Sequence, residues 1–141
     1  MSYLLDTNVV SETIRPKPNQ RVLKWLDSVS AHGLHLSVLS LGEIRRGIET
    51  LKVGSAKRER LRVWLEQDLP AWFETRLLPV DAAVADRWGR LQADARGRSH
   101  SLAAIDGILA ATALVHGLRV ATRNTKHFDV PGLDVISPWQ A

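Results

Sequence analysis

One long apolar segment constrains this chain more than any other feature. Residues Ser101–Val115 read SLAAIDGILAATALV, in which Asp106 is the only charged residue and no face is polar. A helix that is apolar on every side is normally buried. An ionised carboxylate is stable there only when it is neutralised or faces a cation. We therefore expect a buried helix with a positive group or a shared metal ion beside Asp106.

Length and composition limit the classes of protein to which the chain can belong. Its 141 residues predict a single domain over 1–141, long enough to bury a core. The absence of cysteine excludes disulfides and thiolate metal sites and fits a reducing compartment. The N-terminus does not resemble a signal peptide, and no apolar run reaches the roughly 20 residues that a bilayer requires. We expect a soluble, cytoplasmic protein with no membrane segment.

The charge of the chain favours a polyanionic partner. The formal net charge is +4, and 14 of the 19 basic residues are arginine. Arginine suits bidentate contacts with phosphate groups, so nucleic acid is the expected partner. One tyrosine and two phenylalanines provide little surface for base stacking. We therefore expect contacts mainly with the nucleic-acid backbone.

Apolar patterns predict strands that alternate with helices. Strands are expected at Tyr3–Leu5, Leu34–Ser37, Arg76–Val80, Arg119–Thr122 and near Val135. Helices are expected at Gln20–Ser28 after an Asn19 cap, at Asp81–Arg96, and around Asp106 up to a Gly117 cap. Two further apolar stripes predict a helical hairpin at about 40–70. Such alternation predicts an α/β fold, a three-layer α/β/α sandwich with a central parallel sheet.

Polar residues follow two of the predicted strands. Asp6 ends the first strand, and Asn124 lies just beyond the strand at Arg119–Thr122. Ligands of parallel sheets bind beyond the carboxyl ends of the strands. Asp6 and Asn124 can therefore converge, although they lie near opposite ends of the sequence.

Four motifs in order resemble those of one family. They are LLDTNVVSE at Leu4–Glu12, SLGEIRRG at Ser40–Gly47, AAIDGILAATA at Ala103–Ala113 and ATRNTKHF at Ala121–Phe128. Over essentially its whole length the chain resembles PIN-domain ribonucleases. More narrowly, it resembles the VapC toxins of bacterial toxin–antitoxin pairs, in the FitB-like subgroup.

The resemblance implies a PIN-like fold and a metal-dependent endoribonuclease. Asp6, Glu43 and Asp106 correspond to the acidic cluster that binds Mg²⁺ or Mn²⁺. Asn124 occupies the fourth catalytic position, where relatives often have an acid, and this departure bears on whether a second metal ion is held. Asp129, five residues downstream, is a candidate substitute. The resemblance also implies an RNA substrate, a homodimer and a VapB-like antitoxin whose tail fills the active-site groove.

Each of these residues also has an ordinary structural interpretation. Asp6 is a plausible helix cap, Glu43 a plausible solvated helix residue, and Asp106 a plausible cap for a helix starting at Gly107. A further set is assigned either to hydrogen bonds with the carboxylates or to turns and caps: Thr7, Asn8 and Thr122.

None of the five histidines is assigned to catalysis. Arg45–Arg46 is interpreted as a solvated pair or a substrate contact, and Trp64 and Trp72 as packing residues.

Two other functions remain open from the sequence. A haloacid-dehalogenase-type phosphatase also begins with an aspartate after its first strand. Its second aspartate, two residues further on, is replaced here by Asn8. A catalytically silent RNA-binding or regulatory PIN-like module is the other alternative, and Asn124 is its main argument.

Overall fold

A parallel sheet forms the centre of the computed structural model, which describes residues 1–97 and 102–141. Within these ranges it has five strands in the order β3-β2-β1-β4-β5, all parallel. The strands are β1 (Tyr3–Leu5), β2 (Leu34–Ser37), β3 (Leu77–Leu78), β4 (Arg119–Ala121) and β5 (Val135–Ile136). Each lies where the sequence predicts a strand, and β1 is central. The carboxyl end of β1 therefore lies in the middle of the carboxyl edge of the sheet, the side on which all five parallel strands end.

Helices connect the strands and cover both faces of the sheet. They are α1 (Thr7–Glu12), α2 (Gln20–Ser28), α3 (Val38–Glu49), α4 (Ala56–Val63), α5 (Leu69–Phe73), α6 (Ala82–Gly97) and α7 (Ala104–His116). A π-type turn at Trp64–Asp68 joins α4 to α5, and α3 contacts α4 within the stretch predicted as a hairpin. None of the helices in 1–97 and 102–141 is long and apolar enough to cross a membrane.

The alternation of side chains along β1 separates two apolar cores. Tyr3 and Leu5 pack with apolar side chains of α1 to α5 on one face of the sheet. Leu4 packs with those of α6 and α7 on the other face. Successive strand residues point to opposite faces, so a buried three-residue strand contributes to both layers. The predicted three-layer α/β/α fold is confirmed.

Local capping signals in the sequence are also confirmed. The Asn19 side chain accepts hydrogen bonds from the N–H groups of Arg21, at 2.9 Å, and Val22, at 3.4 Å, at the start of α2. Gly117 ends α7 with φ of 66°, in the left-handed region that glycine adopts without strain. Both boundaries depend on short-range chemistry, which explains why the sequence predicts them correctly.

The apolar helix differs from its prediction in two respects. It begins at Ala104, after Leu102 and Ala103 in irregular backbone, and Ser101, the first residue of the apolar segment, lies outside the described residues. It is also not buried on every side, because Val115 is 40% exposed and the Asp106 side chain is 23% exposed. The helix packs against both α6 and the sheet, so it needs two apolar faces and can still leave its ends near solvent.

Candidate active site

Asp6 connects the central strand to α1 at the carboxyl edge of the sheet. Its Oδ1 accepts a hydrogen bond from the N–H of Thr7 at 2.8 Å and thereby caps α1. Its Oδ2 accepts a hydrogen bond from the Thr122 hydroxyl at 2.7 Å. Its own N–H donates to the carbonyl of Ala121 at 2.9 Å, which continues the pairing of β1 with β4. Asp6 is therefore a helix cap whose carboxylate is also fixed by a distant part of the chain.

Glu43 reaches the same edge from α3. The Thr7 hydroxyl lies 2.6 Å from Glu43 Oε1 and 2.8 Å from the Ser40 hydroxyl. Ser40 is fully buried, whereas Glu43 is half-buried on the side of α3 that faces α1. These hydrogen bonds connect the first turn of α1 to α3 and orient the Glu43 carboxylate.

Asp106 lies in the first turn of α7, so it is not the cap of a later helix. A carboxylate is favoured here because the N-terminal end of a helix carries partial positive charge. His127 Nδ1 lies 3.5 Å from Asp106 Oδ2. Ala103, Asp106, Lys126 and His127 line an open cavity of about 280 Å³. Beside Asp106, where a positive group is expected, lie the His127 ring and, on the same cavity wall, the Lys126 ammonium group.

The electrostatics connect the three carboxylates. Burial raises the pKa of Asp6, the hydrogen bonds from Thr122 and Thr7 lower it, and the charge of Asp106 raises it again. Burial also raises the pKa of Asp106, whereas His127 lowers it and Glu43 raises it. Asp106 therefore repels both other carboxylates. Residues that are far apart in sequence converge at one edge of the sheet.

The chemistry of this cluster fits a hard divalent cation. Such ions prefer oxygen ligands, and a bound cation offsets the repulsion between neighbouring carboxylates. Within 1–97 and 102–141, no three His, Asp or Glu side chains already lie at the distances of a compact metal cluster. The three carboxylates are nevertheless close enough to raise the pKa values described above. Their donor atoms and mutual repulsion agree with a metal-binding role.

Asn124 lies beside the cluster but is exposed to solvent. It precedes the short helical turn Thr125–Phe128, and its side chain makes no capping hydrogen bond there. Its N–H donates to Thr122 Oγ1 at 3.0 Å, the same hydroxyl that donates to Asp6. Asn124 is thus connected to the acidic residues through its backbone. Asp129, the other candidate for the fourth acid, is also exposed.

Two of the three predicted hydrogen-bonding partners of the carboxylates are confirmed. Thr7 contacts Glu43, and Thr122 contacts Asp6. For Asn8, where the sequence leaves both interpretations open, the contact is with the backbone: its Oδ1 accepts a hydrogen bond from the N–H of Arg123 at 3.3 Å. Asn8 therefore ties α1 to the loop that follows β4.

His127 is the site residue that sequence reasoning missed. The histidines share no ligand spacing, so the sequence assigns none of them to the site. The signal was the unpaired Asp106, which required a nearby positive group, together with the basic pair Lys126–His127 in the fourth motif. Proximity between α7 and this loop depends on the fold rather than on any local pattern.

The other residues singled out have structural contacts. Arg45 lies 2.7 Å from Glu66 and 3.8 Å from Glu49, so it forms ion pairs on the surface of the helices. Trp64 is buried and Trp72 packs against the same core, as predicted.

An apolar groove runs alongside Glu43. It has a volume of about 310 Å³, and its walls come from α1, α3, α4 and the turn that follows α4. The lining includes Thr7, Ile14, Ile44, Gly47, Leu51 and Trp64. The groove therefore reaches the Thr7–Glu43 hydrogen bond at one end.

Comparison with known proteins places this fold and site in a defined class. The sequence model of the PIN-domain family matches residues 3–133, and the chain belongs to this family. PIN-domain ribonucleases generally use divalent metal ions. This membership leaves the phosphatase alternative without support.

Similarity to individual proteins extends over nearly the whole chain. The chain is 42% identical to Toxin FitB of Neisseria gonorrhoeae over 96% of its own length and 97% of the relative. It is 36% identical to VapC ribonuclease Y4jK of Sinorhizobium fredii, over 97% of each chain. The crystal structure of FitAcB from Neisseria gonorrhoeae superposes with a TM-score of 0.91 and 40% identity, covering 99% of both chains.

Proposed function

We propose that this protein is a metal-dependent endoribonuclease that acts as the toxin of a toxin–antitoxin pair, with residues 1–141 forming one PIN domain. The observation that carries the proposal is the convergence of Asp6, Glu43 and Asp106 at the carboxyl edge of the central strand. The similarity to proteins named as a toxin and as a ribonuclease supports the substrate class.

In this proposal Asp6, Glu43 and Asp106 hold Mg²⁺, for which Mn²⁺ can substitute. A divalent ion bound there would offset the carboxylate charges and assist attack of water on a phosphodiester bond. Thr122 and Thr7 orient the carboxylates through their hydrogen bonds. Lys126 provides positive charge on the cavity wall beside Asp106, where an RNA phosphate can approach, and His127 lies on the same wall. Asn124 flanks the site at the fourth catalytic position.

The test is RNA cleavage by purified protein that has been freed of any partner. We expect cleavage of single-stranded or loop RNA with Mg²⁺ or Mn²⁺, and its loss in chelator or in Asp6→Asn. Arg90→Gln, which changes an exposed residue that pairs with Asp86 on α6, is the matched surface control. Cleavage that persists undiminished in chelator would reject the metal mechanism. Metal binding without cleavage of any RNA in a broad panel would favour the silent module.

The apolar groove beside Glu43 supports the second half of the proposal, a VapB-like antitoxin whose tail occupies it. An apolar segment ending in the groove would cover the approach to Glu43 and thereby block RNA. Gly47 lines the groove and has open space around it, so Gly47→Leu should fill the groove and weaken capture of a co-expressed antitoxin. Gly42→Leu, on the same helix with equally open surroundings but away from the groove lining, should leave capture unchanged.

We also propose a homodimer and a cytoplasmic location, both from the family resemblance. Sedimentation equilibrium at several protein concentrations measures the first. Fractionation of the producing cells measures the second. A monomer at all concentrations would contradict the dimer without affecting the metal site.

A further inference from the structure

The helix that carries Asp106 makes an unusually close approach to its neighbour. Gly107 lies in α7 and is buried where this helix packs against α6. A Cβ atom at this position would lie 3.0 Å from Cδ1 and 3.1 Å from Nε1 of the Trp88 indole, and 3.0 Å from Nε2 of Gln92. A side chain at this position would push Trp88 or Gln92 away by a few tenths of an ångström, so glycine lets the first turn of α7 rest this closely on α6.

Two polar groups of α6 also face this contact. Gln92 Nε2 donates a hydrogen bond to the carbonyl of Leu102 at 3.1 Å, two residues before α7 begins. The Trp88 Nε1 is buried and has no hydrogen-bond partner among the described residues. Within the described residues, the Trp88 indole is therefore placed by packing rather than by a hydrogen bond.

Asp106 directly precedes Gly107 in this turn. Because successive helix residues point in different directions, Gly107 can face α6 while Asp106 faces the cavity that Lys126 and His127 line. Any displacement of the first turn away from α6 moves the Asp106 carboxylate relative to Asp6, which is fixed separately by Thr7 and Thr122. The distance between the two carboxylates therefore depends on the contact at Gly107.

We propose that Trp88 and Gln92 are positioning residues for Asp106: with Gly107 they form a seat that fixes the first turn of α7 and thereby the geometry of the metal-binding carboxylates. This inference rests on the proposed function. The three residues touch neither substrate nor metal in it. They act only through the placement of the backbone that carries Asp106.

The experiment adds a methyl group at Gly107, removes the facing ring at Trp88, and measures the Mn²⁺ affinity of each variant and of the two combined. Gly107→Ala should lower the affinity for Mn²⁺ by about 10-fold, as expected when a supporting group around a metal ligand is disturbed. Trp88→Leu removes the ring that the new methyl group meets, so Gly107→Ala combined with Trp88→Leu should regain most of the lost affinity. Gly89→Ala is the matched control, because it adds a methyl group to α6 one residue after Trp88 where nothing lies within 4 Å.

Affinity is measured by Mn²⁺ titration calorimetry, and RNA cleavage by the same variants should show a reduced kcat with KM nearly unchanged. A Gly107→Ala protein that binds Mn²⁺ as the Gly89→Ala protein does would overturn the seat. So would a double variant that stays as weak as Gly107→Ala alone. If Gly107→Ala does not fold, the same Mn²⁺ titration of Gln92→Met tests the proposal. This variant removes only the hydrogen bond to Leu102 and should still weaken Mn²⁺ binding.

Failure of the wider proposal gives a different pattern. An unsubstituted protein that binds no Mn²⁺ would reject the metal site and, with it, the seat. An unsubstituted protein that binds Mn²⁺ but cuts no RNA would reject the ribonuclease, while the calorimetric cycle would still test the seat.

Discussion

Thr122 donates a hydrogen bond to Asp6 at 2.7 Å across 116 positions of the sequence. The same Thr122 oxygen accepts the N–H of Asn124 at 3.0 Å, so the hydroxyl proton is directed toward the carboxylate. Thr122 is fully buried. One side chain thus fixes both the orientation of Asp6 and the start of the loop that carries Asn124, Lys126 and His127.

The first prediction concerns this hydrogen bond. Thr122→Val keeps the shape of the side chain but leaves Asp6 Oδ2 without its donor, so the pKa of Asp6 should rise further. We expect Mn²⁺ affinity and RNA cleavage to fall by about 10-fold. Thr122→Ser retains the hydroxyl and should behave nearly as the unsubstituted protein does in the same titration. Equal losses in both variants would mean that packing of the Thr122 methyl group, and not its hydroxyl, is what matters.

The second prediction concerns the charge of Asp106. Burial and Glu43 raise its pKa in the folded protein, so the ionised form destabilises the fold at pH values above the ordinary range of the group. Asp106→Asn should therefore raise the melting temperature in metal-free buffer at neutral pH while abolishing cleavage. The gain should shrink as the pH falls through the ordinary pKa of an aspartate, about 3.9, because the carboxyl then takes up a proton in the unfolded as well as the folded protein.

The His127 ring contacts Asp106, so the His127 side chain also contributes to this comparison. Both proteins are therefore also compared in a His127→Gln background by differential scanning calorimetry. A large loss of metal-free stability in Asp106→Asn would show that the Asp106 carboxylate is structural.

The third prediction concerns Asn124, which is exposed beside the cluster. Asn124→Asp adds a negative charge near Asp6 and should tighten Mg²⁺ binding if this position contributes to the metal site. Titration of metal while RNA cleavage is followed gives the midpoint for both proteins. An unchanged midpoint would exclude the Asn124 side chain from the site and leave it only its role in the turn.

The fourth prediction concerns Glu12, a carboxylate that is only 4% exposed. Its Oε2 accepts the N–H of Asn19 at 2.8 Å, and Arg15 lies 3.2 Å from Oε1. Glu12→Ala leaves that N–H without its partner, so the free energy of unfolding should fall by about 1–3 kcal/mol. Arg15→Ala removes a 59% exposed partner and should cost less than about 1 kcal/mol. Urea denaturation of both variants measures the difference, and equal losses would contradict it.

The sequence predicts well those features that depend on neighbouring residues. The cap at Asn19 and the end of α7 at Gly117 follow from short-range hydrogen bonding and backbone preference, and β1 follows from three apolar residues before Asp6. The convergence of Asp6 with the loop after β4 follows from a general rule about parallel sheets. These signals predict the layers and the edge at which the acidic residues meet.

Long-range contacts explain what the sequence does not predict. The partner of Asp106 is His127, and the partner of Asn8 is the backbone of Arg123. Each depends on how two separated segments pack, and no periodic pattern in either segment encodes it. The close approach of Gly107 to Trp88 is likewise invisible in the sequence, where Gly107 looks like any small residue in an apolar helix.

The position of β1 between β2 and β4 has a consequence for synthesis of the chain on the ribosome. β1 is translated well before β4, yet its pairing with β4 and the Asp6–Thr122 hydrogen bond, which spans 116 positions, need residues far downstream. Closing so long a loop is a late event in folding. A nascent chain that stops before Arg119 has Asp6, Glu43 and Asp106 but lacks the strand and the hydroxyl that orient Asp6. The complete acidic edge can therefore assemble only after translation has passed Thr122.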